Sequence, residues 1–214
     1  MSIRINRKTL LKLTDPNKER NIYTHPFALA RDIFWQRLDY AYKYLQKYTK
    51  QNISVLDFGG GSGVFGKSLA SYYHSLSIID LDTQEAQNII DYYDIKNITL
   101  YNENIKNFKS DSKYDLIIAT DVLEHFEDLD IPIDFFYKFL NKGGMLLVTL
   151  PTENWVYELG RKVVNKTKPL DHYHKSEYVI EFLKEHNFKE IEKTFVPKYF
   201  ISIPLFEVAI FRFD

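Results

Sequence analysis

VLDFGGGSGVFGKS, from Val55 to Ser68, decides how the rest of the chain is read. An apolar run ends in Asp57, then Gly59, Gly60, Gly61 and Gly63 follow in quick succession, and a stretch with helical periodicity begins. That order predicts a strand, a tight turn and a helix start. Glycines supply the positive φ angles that such a turn demands. The helix start aims backbone N–H groups at whatever lies above it, so an anionic or zwitterionic ligand is expected there.

Outward from this joint, apolar runs and helical periodicities alternate. Upstream, Pro26 to Lys50 reads as a helix, with Phe34, Leu38, Ala41 and Leu45 on one face and Tyr40, Tyr44 and Tyr48 on another. Residues 1–20, with the turn signal Asp15-Pro16-Asn17, read as a loose arm. Downstream, a helix is predicted over Val64 to Tyr73, a strand over Leu76 to Asp80, and a helix over Thr83 to Tyr93 capped by Asp82 or Thr83. Strands at Ile98 to Tyr101, Tyr114 to Thr120 and Met145 to Leu150 follow, with a helix at Ile131 to Leu140 ended by Asn141-Lys142-Gly143-Gly144. Alternation with short connections is the pattern of a parallel sheet covered on both faces, and LIIA and MLLV read as buried parallel strands. The last third differs. A helical insertion is expected at Asn154 to Asn165 and a helix at Ser176 to Asn187 with Ser176 as its N-cap. Ile191 to Val196 and Leu205 to Phe213 have no helix between them, so they must pair as an antiparallel hairpin at the sheet edge.

Composition narrows the function classes. The 214 residues can bury a full core, and no linker splits the chain. The absence of cysteine excludes disulfides, thiolate metal sites and a cysteine nucleophile. The opening MSIRINRKTLLKLTDP lacks the apolar core of a signal peptide and no run approaches membrane-spanning length, so a soluble, cytoplasmic protein is expected. Net charge is −1, which gives no overall pull toward nucleic acid, although residues 1–50 carry eleven Lys/Arg against four Asp/Glu. That basic segment most simply complements the acidic body.

The glycine stretch itself admits three ligand patterns. Gly61-x-Gly63-x-x-Gly66 fits dinucleotide binding, and Gly61-x-x-x-x-Gly66-Lys67-Ser68 fits a phosphate loop. Against the phosphate loop, Phe65 is bulky for a tight backbone nest and Asp57 would repel a triphosphate. The dinucleotide pattern leaves Asp57 and the later DVLEH segment, Asp121 to His125, unexplained. With Asp57-x-Gly59-x-Gly61-x-Gly63, Asp80 ending the second strand and DVLEH after the fourth, the chain resembles the class I S-adenosylmethionine (SAM) methyltransferases of the small-molecule branch, from about Ile53 to Phe213. The resemblance implies a Rossmann-like, mostly parallel seven-stranded sheet closed by the antiparallel hairpin. It implies residues 1–50 as an arm and cover helix and 51–214 as a SAM-binding domain.

It also assigns residues. Asp57, Gly59, Gly61 and Gly63 would hold the methionyl part of SAM, Asp80 the ribose hydroxyls, and Leu81 with Asn104-Ile105 the adenine. Asp121 would face both the methionyl end and the acceptor. Asn104 stands where the family often has Asp, and its amide carbonyl can still accept from an amine. His125 is the first candidate base, the alternative being that Glu124 and His125 cap the following helix or brace the loop, and His172 and His174 come second. A metal at His172 and His174 lacks a matching carboxylate, and none is expected. The acceptor is expected to be a hydroxyl or amine of a small molecule, selected by the aromatic helix (Tyr23, Phe27, Arg31, Phe34, Trp35) and by residues around Trp155 to Lys168. The protein is expected to act as a monomer or homodimer. A SAM-binding fold without catalysis is the competing class.

Overall fold

A computed structural model describes residues 4–15, 22–158, 171–198 and 203–214. Strands β1 (Val55–Phe58), β2 (Leu76–Asp80), β3 (Ile98–Asn102), β4 (Tyr114–Thr120), β5 (Leu140–Pro151), β6 (Phe188–Val196) and β7 (Phe206–Phe213) form one sheet in the order β3-β2-β1-β4-β5-β7-β6. The first five run parallel; β7 lies antiparallel between β5 and β6. The sequence-based fold is therefore the observed one, hairpin included.

Alternation along each strand sorts side chains to two cores. Leu116 and Ile118 of β4, Met145 and Leu147 of β5, and Val208 and Ile210 of β7 face one. Ile117, Ala119, Leu146, Val148, Ala209 and Phe211 face the other. Helices α1 (Arg7–Leu13), α2 (Ala28–Tyr48), α3 (Gly66–Tyr72) and α4 (Gln84–Tyr93) bury Leu10, Leu38, Leu45, Leu69 and Ile89 in the first. Helices α5 (Asp130–Phe139) and α6 (Ser176–Glu185) bury Phe136, Phe139, Val179 and Leu183 in the second. On β1, Val55 faces the first core and Leu56 and Phe58 the second, so Asp57 falls on the first-core side of a strand buried along its whole length. The sheet's order reverses at β1, which has β2 on one side and β4 on the other. The crevice at their carboxyl ends is where open α/β sheets take ligands.

Several sequence-based expectations need correction. The described part of the N-terminal arm is helical: Asn6 caps α1 by accepting from Lys8 N, and Leu10 is fully buried. Long-range bonds dock it on α4, with Asp15 N donating to Glu85 Oε1 (2.9 Å) and Asn88 Nδ2 to Leu13 O (3.0 Å). Residues 16 and 17 of the turn signal lie outside the described residues, as do 159–165 of the insertion and 159–168 of the second cover; residues 155–158 form a helical turn. Val64 and Phe65 belong to the turn before α3. Ser176 is the first helical residue of α6 and is buried, with Lys175 at the cap position. Asn141 to Gly144 are absorbed into a longer β5, where pairing jumps from Tyr114↔Leu140 to Leu116↔Met145. On α2, Tyr44 is buried and Tyr48 bonds to Glu192, so the tyrosine stripe is used in packing.

Leu10→Ala should lower stability by about 2–5 kcal/mol in urea unfolding, the usual cost of emptying a closed core site. A loss below about 0.5 kcal/mol, the surface-substitution range, would contradict a docked arm.

Candidate functional site

The turn after β1 is built from three left-handed glycines, Gly59 (φ +70°), Gly61 (φ +53°) and Gly63 (φ +71°). Two are also pinned by neighbours. A Cβ on Gly59 would stand 2.5 Å from Val122 Cγ2, and one on Gly63 2.7 Å from Ala86 Cβ. Gly61 differs: among the described residues nothing lies within 4 Å of its Cβ position, which leaves the turn open to them above it. Its N–H donates to Asp80 Oδ2 (2.8 Å), and Asp82 N donates to Asp80 Oδ1 (3.0 Å). Asp80 therefore ties the tip of β2 to the turn of β1.

Beneath the turn lies Asp57, fully buried, and among the described residues neither carboxylate oxygen has a hydrogen-bond partner. Gly60 permits this arrangement, because a Cβ there would come 2.9 Å from Asp57 Oδ2. Burial, reinforced by the like charge of Asp80, pushes the Asp57 carboxyl up to about 7.

Around the same edge, Leu81 is 71% exposed beside a shallow recess of about 290 Å³ lined by Asp82, Thr83, Gln84, Gln87 and Asn102. Asn104 is exposed and accepts from Lys106 N (2.9 Å), while Ile105 packs on the second core. The phosphate-loop look-alike is consumed by packing. Lys67 Nζ lies 4.9 Å over the Tyr93 ring, and a Cβ on Gly66 would meet Ile78 Cδ1 at 2.8 Å.

Across the crevice, β4 ends at Thr120 and Asp121 takes a left-handed φ of +51°. Non-glycine residues rarely adopt it. Asp121 is held by its N–H to Thr149 O (2.9 Å) and by Thr149 Oγ1 donating to Oδ1 (2.8 Å). Its Oδ2 is in ion-pair contact with Arg37 of α2. Arg37 is buried, donates to the Tyr23 hydroxyl (2.7 Å) and lies 5.2 and 5.0 Å from the ring centres of Phe34 and Phe206. Sequence reasoning did not single out Arg37. The available signal was a cation three residues past Phe34 and next to Leu38, at the border of the apolar face. Of the other cover residues, Trp35 packs on Tyr23 (4.7 Å), Arg31 bonds the carbonyls of His25 and Pro26, and Phe27 and Trp155 are exposed.

DVLEH continues as a 3₁₀ turn at Leu123–His125. The chain returns beside it, with Tyr173 N donating to Glu124 O (2.9 Å). The rings of His125 and His172 thereby meet edge to face at 4.6 Å. His172 Nδ1 is 2.7 Å from Glu153 Oε1, and His125 Nδ1 is 3.0 Å from Asp171 Oδ2. His174 turns away, to Glu127 O (3.1 Å).

Among known proteins, a family model described as a methyltransferase domain matches residues 29–194. The chain is similar to a ribosomal RNA small subunit methyltransferase G of Thermotoga petrophila, 28% identical over 101 residues, covering 44% of this chain and 42% of that protein. It is also similar to a malonyl-[acyl-carrier protein] O-methyltransferase 2 of Ilyobacter polytropus, 23% identical over 140 residues and covering 64% and 54%. The chain thus spans about half the length of these curated relatives. Among solved structures, N-methyltransferase NodS from Bradyrhizobium japonicum in complex with S-adenosyl-L-homocysteine superimposes with a TM-score of 0.70 at 19% identity, covering 97% of this chain and 98% of that one.

The unpartnered acid has a measurable consequence. Its carboxyl titrates near 3.8 when unfolded and near 7 when folded, so the folded state holds a proton that the unfolded state has lost. Stability is therefore highest at low pH in this respect and falls as pH rises from about 4 to about 7. Asp57→Asn removes the titration. Its unfolding free energy should gain on the wild type over that window, by a few kcal/mol at ~1.4 kcal/mol per unit. A constant difference across the window would contradict the raised carboxyl.

Proposed function

Since the chain belongs to the methyltransferase-domain family, we propose that it transfers a methyl group from SAM to a hydroxyl or amine of a small molecule. The observation that carries this reading is the buried, unpartnered Asp57 under a turn that is open at Gly61. A carboxylate in that position is costly by itself and is satisfied by a ligand bearing positive charge. Nucleotide triphosphates and dinucleotides bring negative charge instead. The fit extends to Asp80, whose oxygens each keep a lone pair beyond the bonds they accept and can take ribose hydroxyls. Leu81, Asn104 and Ile105 would frame the adenine.

When bound, SAM supplies an electrophilic methyl on a sulfonium, displaced in line by the acceptor's lone pair with release of the thioether. The chain's part is to align the two and exclude water, worth on the order of 7–11 kcal/mol when alignment is good. Asp57 and Gly59, Gly61 and Gly63 hold the methionyl end. Asp121, fixed by Thr149 and Arg37, borders the reacting centre. His125 and His172 stand just beyond and activate the acceptor, with His125 as base the simplest form of that role. The cover made by Tyr23, Phe34 and Arg37 over the crevice supports a small acceptor. The similar proteins bear names that point to RNA, an acyl carrier protein ester and nitrogen methylation, so they do not choose among acceptors. Among the described residues no helix is long and apolar enough to cross a membrane, which fits the cytoplasmic setting we assign.

Thermal unfolding with SAM, S-adenosylhomocysteine, NAD and ATP in parallel tests the cofactor. At a hundredfold excess over Kd a true ligand adds about 2.7 kcal/mol. The first two should stabilise and the last two should not; the reverse would overturn the proposal. His125→Ala should bind S-adenosylhomocysteine as the wild type does while methyl transfer to a panel of phenols, sugars and amines falls about 10²-fold or more. Unchanged transfer would remove His125 from the mechanism.

A further inference from the structure

The turn after β4 and the segment returning after β5 bring together more donors than a single general base requires. Glu124, His125 and His172 each offer one ligand atom, and these atoms all lie within 4.8 Å of one another. The set is assembled by the backbone, through Tyr173 N to Glu124 O. Each imidazole has a carboxylate behind it, Glu153 at His172 Nδ1 (2.7 Å) and Asp171 at His125 Nδ1 (3.0 Å). At His172 the hydrogen bond from Nδ1 to Glu153 holds the ring proton there and makes Nε2 the metal-facing nitrogen. This is the outer arrangement that orients metal-ligating histidines and raises their basicity. Glu124 is 1% and Glu153 5% exposed.

We infer that Glu124, His125 and His172 bind one divalent transition-metal ion. Two imidazoles and one carboxylate suit zinc, manganese, iron or cobalt and leave coordination positions open. Donors on a tetrahedral ion at about 2.0–2.2 Å stand roughly 3.4 Å apart, so shifts of about an ångström close the set. The carboxylate that a site at His172 and His174 would have lacked comes from Glu124, three residues past Asp121, and His174 takes no part. An ion here stands at the acceptor side of the crevice. An open position would bind an acceptor hydroxyl and lower its pKa, which selects oxygen over nitrogen acceptors. That role rests on the proposed methyl transfer; the metal site does not.

The test uses the full chain, stripped with a chelator and titrated with Co²⁺ alone, followed by visible absorption and calorimetry. One ion per chain is expected. Its affinity should fall tenfold or more in His172→Gln and in Glu153→Gln, the outer-shell change, and stay unchanged in His74→Ala, which alters an exposed histidine elsewhere. Glu124→Gln should abolish binding; if it fails to fold, His172→Gln decides. Absence of stoichiometric binding, or binding indifferent to His172→Gln, overturns the site. S-adenosylhomocysteine titrated into the metal-free protein separates the two claims. Its binding without cobalt binding sinks the metal site alone, and cobalt binding without it sinks the cofactor reading and leaves the metal site standing.

Discussion

A carboxylate buried on the first-core side of β1, with no hydrogen bond to either oxygen among the described residues, is the constraint around which the site is built. Hydrophobic residues at the neighbouring positions Leu56 and Phe58 make β1 a buried strand, so Asp57 cannot reach water. The turn above it must approach closely, which Gly60 allows, and must reverse direction in little space, which Gly59, Gly61 and Gly63 allow through positive φ. Asp80 then locks the turn through Gly61 N while adding its own charge to the neighbourhood. Burial and the neighbouring charge of Asp80 disfavour the ionised carboxylate, and a positive charge placed beside it would offset that cost.

The parallel sheet converts this local arrangement into a site. Register places the ends of β1, β2 and β4 at one edge, and the order reversal at β1 opens the crevice between Asp57 and Asp121. The cover is part of the same construction. Arg37 comes from α2, lies over both of the packed rings Phe34 and Phe206, and pairs with Asp121. A buried guanidinium without that acid would be strongly unfavourable, so the helix and the tip of β4 depend on one another. The hairpin contributes as well, since β7 supplies Phe206 and lies against β5, whose Thr149 holds Asp121.

What was legible in the sequence was what rests on local periodicity. All seven strands, the helices from α2 to α6, the glycine turn and the placement of Asp57, Asp80 and Asp121 at or beside strand ends could be read because buried parallel strands are continuous apolar runs and their ends carry the polar exceptions. The docking of the arm could not, because Leu10 becomes a core residue only through bonds to Glu85 and Asn88, more than seventy residues away. Arg37 looked like one of eleven scattered cations in residues 1–50. His125 and His172 were each noticed, but their meeting depends on the Tyr173–Glu124 bond, and their carboxylates Glu153 and Asp171 lie in segments with no periodic signal. Pairs made by tertiary contact leave no spacing to read.

The central claim is that Asp57 waits protonated near neutrality for a ligand that brings positive charge. Calorimetry of S-adenosylhomocysteine binding near pH 6.5, in two buffers of different ionisation enthalpy, tests it most directly. Binding should release a proton as the carboxyl ionises against the ligand's ammonium, up to about one per chain, and Asp57→Asn should abolish the release. Binding with no proton release in the wild type, or with the same release in Asp57→Asn, would contradict the account.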